Sequence, residues 1–96
     1  MLESKFQSDL IKELEIIFEG CVVLKNDPTY IQGFPDLLLL YNDTWVALEV
    51  KRSINSPYQP NQEYYLDLLN NMSYAWMICP QNREEILDEM ERSLKA

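Results

Sequence analysis

Three charged residues stand where the chain otherwise reads as apolar strand: Asp36, Glu49 and Lys51. Asp36 opens the run Leu37 to Tyr41, and Glu49 and Lys51 close the run that begins at Trp45. Asn42-Asp43 turns the chain between them, so the runs pair as a hairpin. Counting outward from that turn, position 36 falls opposite position 49. Side chains two apart on a strand share a face, so Glu49 and Lys51 point the same way and Val50 points into the opposite layer. Carboxylates on adjacent strand ends repel each other unless a cation lies between them. A hard divalent ion answers that requirement. Magnesium takes carboxylates, a carbonyl and retained waters, and the backbone C=O of Val50 could supply the carbonyl. Lys51, one step along the same face, is placed to steer or help deprotonate an attacking water, or to hold a phosphate. Together these residues describe a hydrolytic site for a phosphodiester. The plainer alternatives are a strand-opening Asp36 and a solvated edge for Glu49 and Lys51. Against the second, the charges alternate with Leu48 and Val50 while the partner strand is wholly apolar.

Further polar groups fall on the same side of the helical stripes. Leu2, Phe6, Leu10, Leu14 and Ile17 recur three or four apart and form one apolar stripe. At 100° per residue Glu3 falls within it, Glu13 on its edge and Glu15 away from it. A carboxylate aligned with the core face at the open end of a helix can turn into a cleft beside the sheet. The plainer reading is a frayed first turn, where Glu is favourable anyway. Gln62 shares the face of Tyr65, Leu66 and Leu69 near the start of a second helix. From there its amide could reach a water, a scissile phosphate or Lys51. Gln59 is its rival, and Lys25 could add positive charge near the cleft.

The elements that must position these groups follow from period and punctuation. A helix runs from Leu2 to Phe18 and stops at Gly20. Cys21 to Leu24 is a short strand ended by Asn26-Asp27-Pro28. The hairpin comes next, then a loop from Ser53 to Pro60. A helix resumes at Gln62 and runs to Met72. Tyr74 to Cys79 is a strand stopped by Pro80. The last helix has Asn82 and Glu85 at capping-box spacing and an apolar face of Ile86, Leu87, Met90 and Leu94. The four-leucine run Leu37 to Leu40 is apolar on both faces and should lie centrally in the sheet. One domain spans residues 1–96. Its class is α/β, or α+β by the strict definition, with a mixed four-stranded sheet flanked by helices.

Composition narrows the chemistry. The 96 residues carry 16 acidic and 8 basic side chains, a net charge of -8, and no histidine. Histidine-based triads and His-rich zinc sites are excluded. A net charge of that sign repels phosphates at long range and argues against tight general binding of nucleic acid. Much of the acid lies in the last helix, at Glu84, Glu85, Asp88, Glu89 and Glu91, which can face away from a substrate. Lys25, Lys51 and Arg52 would then act locally. Cys21 and Cys79 sit in apolar surroundings and read as small core residues. There is no basic segment followed by an apolar run at the start, and no stretch long enough to span a bilayer. A reducing cytoplasm, and no membrane partner, is the expectation.

Gly33-Phe34-Pro35-Asp36, then Glu49-Val50-Lys51, then Gln62, resemble the PD-(D/E)xK nuclease superfamily. The Gly-x-Pro-Asp form followed by a glutamine is most similar to the VRR-NUC type, small nucleases related to Holliday junction resolvases and often phage-encoded. The resemblance runs from Glu3 to about Ile86. It implies a restriction-endonuclease-like αβββαβ core and a magnesium- or manganese-dependent deoxyribonuclease. It implies metal ligation by Glu3, Asp36, Glu49 and the Val50 carbonyl, with Lys51 as catalytic lysine and Gln62 as its supporting amide. It further implies DNA as partner, branched DNA included, a homodimer, and the host cytoplasm for a phage-encoded member. Two other classes remain beside it. One is a non-catalytic accessory factor on the same fold, with Tyr58, Tyr64 and Trp76 as interface aromatics. The other is a DNA-mimicking inhibitor, which would need its acid spread over the surface.

Overall fold

The computed structural model describes residues 2–96. Its elements run α1 (Glu3–Ile17), β1 (Val22–Lys25), β2 (Leu37–Tyr41), β3 (Thr44–Val50), α2 (Gln62–Met72), β4 (Tyr74–Ile78) and α3 (Arg83–Leu94). The sheet order is β1-β2-β3-β4. β1 and β2, and β2 and β3, pair antiparallel, whereas β3 and β4 pair parallel across the α2 crossover. The fold is thus α+β with a mixed four-stranded sheet flanked by helices, in the order αβββαβ followed by a last helix. The radius of gyration is 12.5 Å, about that of a compact domain of this length.

The period-2 alternation of β3 divides the interior into two layers. Val46, Leu48 and Val50 face α1 and α3, where Phe6, Leu10, Leu14, Phe18, Leu87 and Met90 close the main core with Leu37, Leu39 and Ile78. Ala47 faces α2, where Leu69 and Ala75 form a smaller cluster joined by Phe34, Leu38, Trp45, Tyr65 and Leu66. Arg83 clamps the two helices of the first layer together, donating from Nε and Nη2 to both carboxylate oxygens of Glu13 at 2.8 and 2.6 Å.

The turns follow their residue types. Leu37 pairs with Leu48 and Tyr41 with Thr44, so Asn42 and Asp43 form a two-residue connection. Asn42 takes φ 55°, a left-handed conformation that Asn tolerates better than most residues. α1 ends with Phe18 N–H on Leu14 O at 2.8 Å, and Gly20 follows at φ 87°. Among the described residues no helix is long and apolar enough to cross a membrane.

Three expectations need correction, and a fourth holds with a qualification. β1 lies one residue later than its apolar run, because the ladder registers Lys25 against Leu37. The four-leucine β2 does lie inside the sheet, between β1 and β3, but the strand sealed on both faces is β3, because Leu40 of β2 is exposed. A single helix covers the second face, and its reach ends before Leu40, Val22 and Leu24. Asn82 precedes α3 but makes no side-chain cap. Its Oδ1 accepts from Cys79 N–H at 2.8 Å and its Nδ2 donates to Met77 O at 3.1 Å, fixing the end of β4 instead. Trp76 is half-buried and stacks on Tyr74 with ring centroids 5.5 Å apart, which removes it from the exposed aromatics.

Candidate active site

The hairpin register brings the charged residues together. Extending the β2–β3 ladder one step beyond Leu37 and Leu48 sets Asp36 across from Glu49. The Asp36 carboxylate accepts the Val50 backbone N–H at 2.8 Å. On its other side Asp36 O accepts Asn26 N–H at 2.8 Å, continuing the ladder to β1. Asp36 is therefore held by backbone on both flanks. Val50 is fully buried in the first layer, so Glu49 and Lys51 project together on the α2 side.

Glu49 and Lys51 are the buried charged side chains of the described residues, with 3% and 7% of their surface exposed. Their partner is Gln62, at the first turn of α2. Its Nε2 donates to Glu49 Oε2 at 3.0 Å, and its Oε1 accepts Lys51 Nζ at 2.7 Å. The same Oε1 accepts Gln59 N–H at 2.7 Å, which fixes the amide's orientation. Lys51 Nζ donates also to Pro57 O at 3.2 Å and lies 3.8 Å from Glu49 Oε2. The Tyr58 ring stands over it, 5.7 Å from nitrogen to centroid. The loop between β3 and α2 thus folds over the lysine and presents its carbonyl to it.

The acids respond to this enclosure. Burial pushes the Glu49 carboxyl up to about 8, and the neighbouring Asp36 charge adds to the rise, against the opposing pull of Lys51. Burial also raises Asp36, opposed by the Val50 N–H, by sharing of the Glu49 proton and by Lys51. As a carboxylate, Glu49 leaves its buried Oε1 with no hydrogen-bond partner among the described residues. An orphaned carboxylate oxygen of this kind costs free energy unless a donor or cation reaches it.

Glu3, Asp36, Glu49, Lys51 and Gln62 all line one cleft of about 610 Å³, with Arg52 and Gln59 also on its wall. Glu3 is exposed at the cleft's rim, close enough for its charge to contribute to the rise at Glu49. It does not close a ligand cluster. Among the described residues no three His, Cys, Asp or Glu side chains are grouped to hold a metal. The donors at the cleft floor are Asp36 and Glu49, two hard oxygen ligands with an unsatisfied oxygen between core and solvent. Such a pair fits magnesium, which usually takes one or two carboxylates and fills the rest with water and phosphate oxygen. Lys25 is exposed on the outer strand and is not among the cleft residues.

Two features of the site had weaker sequence signals. Pro57 O and Gln59 N–H act through backbone, which leaves no mark in residue type. Gly33 carries φ 87°, and a Cβ there would lie 2.6 Å from Pro60 O and 2.7 Å from the Asn61 Cβ. The segment leading to Asp36 packs at this glycine directly on the residues leading to Gln62. Asn61 itself takes φ 72° to enter α2.

Compared with models of known protein families, with curated proteins and with solved structures, the chain matches none.

Proposed function

We propose that this chain is a metal-dependent DNA endonuclease of the PD-(D/E)xK type, nearest the VRR-NUC form. The observation that carries the reading is the convergence of Asp36, Glu49, Lys51 and Gln62, from three elements, onto the floor of one cleft. A buried Glu-x-Lys pair joined by a glutamine is costly to fold, and such cost is expected where chemistry needs it. Asp36, Glu49 and the Val50 carbonyl are the groups that would hold magnesium or manganese, with Glu3 at the rim. When bound, the ion would supply charge neutralisation at the scissile phosphate and acidify water. Lys51, fixed by Gln62 and Pro57 O, orients the attacking water and offsets charge on the phosphate. Water oxygen forms the new bond to phosphorus and the bond to the 3′-oxygen breaks, leaving a 5′-phosphate and a 3′-hydroxyl.

The net charge of -8 favours a structure-selective or partner-recruited enzyme over a general one. A homodimer on branched DNA in a bacterial host cytoplasm belongs to this reading. The same charge favours, as a second reading, a non-catalytic accessory factor. The test is cleavage of end-labelled four-way junction, flap, linear duplex and single-stranded DNA with magnesium or manganese, wild type beside K51A. Cutting by wild type and not by K51A supports the nuclease. No cutting, with no magnesium binding by calorimetry, sinks it in favour of the accessory factor.

A further inference from the structure

A second cavity, of about 370 Å³, is lined by Asn26, Asp27, Tyr30, Ile31 and Phe34. It lies in the segment between β1 and β2, immediately before Asp36. Its volume is at the small end of ligand pockets. Its walls are aromatic and aliphatic, and its rim is polar.

The segment is tied together by its own hydrogen bonds. Asn26 N–H donates to Asp36 O at 2.8 Å and Asn26 Nδ2 to Pro35 O at 2.7 Å. Asp27 Oδ1 accepts both the N–H and the Oγ1 of Thr29, at 2.9 and 2.7 Å. Tyr30 N–H reaches Asp27 O at 3.2 Å and Phe34 N–H reaches Ile31 O at 3.2 Å, closing two successive turns. Gly33 seats the segment on Pro60 and Asn61. A cavity held this way is formed before a ligand arrives, which reduces the ordering cost of binding.

Its chemistry selects the occupant. Tyr30 is 84% exposed, a large aromatic face with no partner among the described ring pairs. Phe34 is braced from behind by Tyr65, with centroids 5.5 Å apart. Asp27 keeps an anionic oxygen at the rim, which repels phosphate and accepts from amino or imino groups. A flat, uncharged ring with donors on its edge satisfies all three walls. In duplex DNA the faces are stacked and the donor edges paired, so the ring must come from an unpaired nucleotide. Stacking on aromatic side chains is a binding term that every base can supply.

We propose that this cavity is a subsite for one unpaired nucleobase, lodged against Tyr30 and Phe34, which directs the adjoining cleft to DNA with a single-stranded segment rather than to continuous duplex. The proposal rests on the nuclease reading for its consequence, but the subsite can be tested without cutting. Fluorescence anisotropy in EDTA at low salt compares a labelled twelve-nucleotide thymidine strand with the same backbone made of abasic residues. Wild type should bind the base-bearing strand about tenfold more tightly, the size of one stacking contact. Y30A should lose that difference and Y30F keep it. Equal affinity for the two strands, no binding of either, or an undiminished difference in Y30A overturns the subsite. Flap cleavage with magnesium is run in parallel, where Y30A should raise KM about tenfold with little change in kcat. Cutting that depends on Lys51 with no dependence on bases removes the subsite and leaves the nuclease. Base-dependent binding lost in Y30A, with no cutting that depends on Lys51, keeps the subsite and removes the nuclease.

Discussion

Replacing Glu49 by Gln should stabilise the metal-free protein at neutral pH and leave it unchanged in acid. Burial and the Asp36 charge raise the Glu49 carboxyl from 4.5 to about 8. The folded state therefore holds this proton to higher pH than the unfolded state does. The sign follows from linkage: the contribution is fully present below 4.5 and is lost as pH rises through 8. Within that window each pH unit removes about 1.4 kcal/mol from the folded state. The loss grows through the window to a few kcal/mol above pH 8. Glutamine keeps an oxygen for the Gln62 Nε2, now 3.0 Å from Glu49 Oε2, and has nothing to ionise. Urea unfolding in EDTA at pH 5, 6, 7 and 8, followed by fluorescence of Trp45 and Trp76, gives the two curves of stability against pH. They should meet near pH 5 and diverge by several kcal/mol at pH 8, with E49Q the more stable. E49Q should retain a shallower slope, because Asp36 is also raised. Magnesium should restore wild-type stability at pH 8 and do little for E49Q. Parallel curves would mean that Glu49 ionises freely in the folded protein, and the account of the cleft as an enclosed acidic pair would fail.

D36A and K51A should each abolish cleavage, by a factor of about a thousand or more, with far-UV circular dichroism unchanged. Q62A should cut more slowly and be less stable by about 2 kcal/mol by urea unfolding, since it strips hydrogen bonds from both Glu49 and Lys51. G33A should cost about 2 kcal/mol or more, because φ 87° strains any side chain and the new Cβ meets backbone at 2.6 Å. Magnesium binding should release close to one proton at pH 7, since Glu49 is held up to about 8 and must ionise to ligate. Calorimetry in two buffers of different ionisation enthalpy measures that proton, and a heat independent of buffer would contradict it.

Much of the site was legible because hairpin geometry is arithmetic. A two-residue turn at Asn42-Asp43 sets the register, and period 2 places Glu49 with Lys51 and against Val50. Gln62 was readable from its position in an apolar helical stripe. Three kinds of feature were not. Asn82 has the type and spacing of a cap, but its side chain is taken up by an N–H and a carbonyl at the end of β4. β2 is as apolar as a strand can be, yet Leu40 is exposed, because α2 lies over β4 and β3 and cover does not follow from the strand's composition. Pro57 O, which accepts from Lys51 Nζ, and Gln59 N–H, which donates to Gln62 Oε1, are backbone groups brought in by a loop.

The sequence by itself determined which residues can do chemistry here and on which strands and helices they ride. Local rules suffice for that, since turn type, side-chain period and breaker residues act over a few neighbours. Only the tertiary structure decided the environment of those residues. Burial of Glu49 and Lys51, the orphaned Glu49 Oε1, and the seat of Gly33 on Pro60 all depend on segments far apart in the chain meeting in space. Desolvation, and with it the ionisation of the cleft, is a property of that meeting, and no short stretch of sequence contains it.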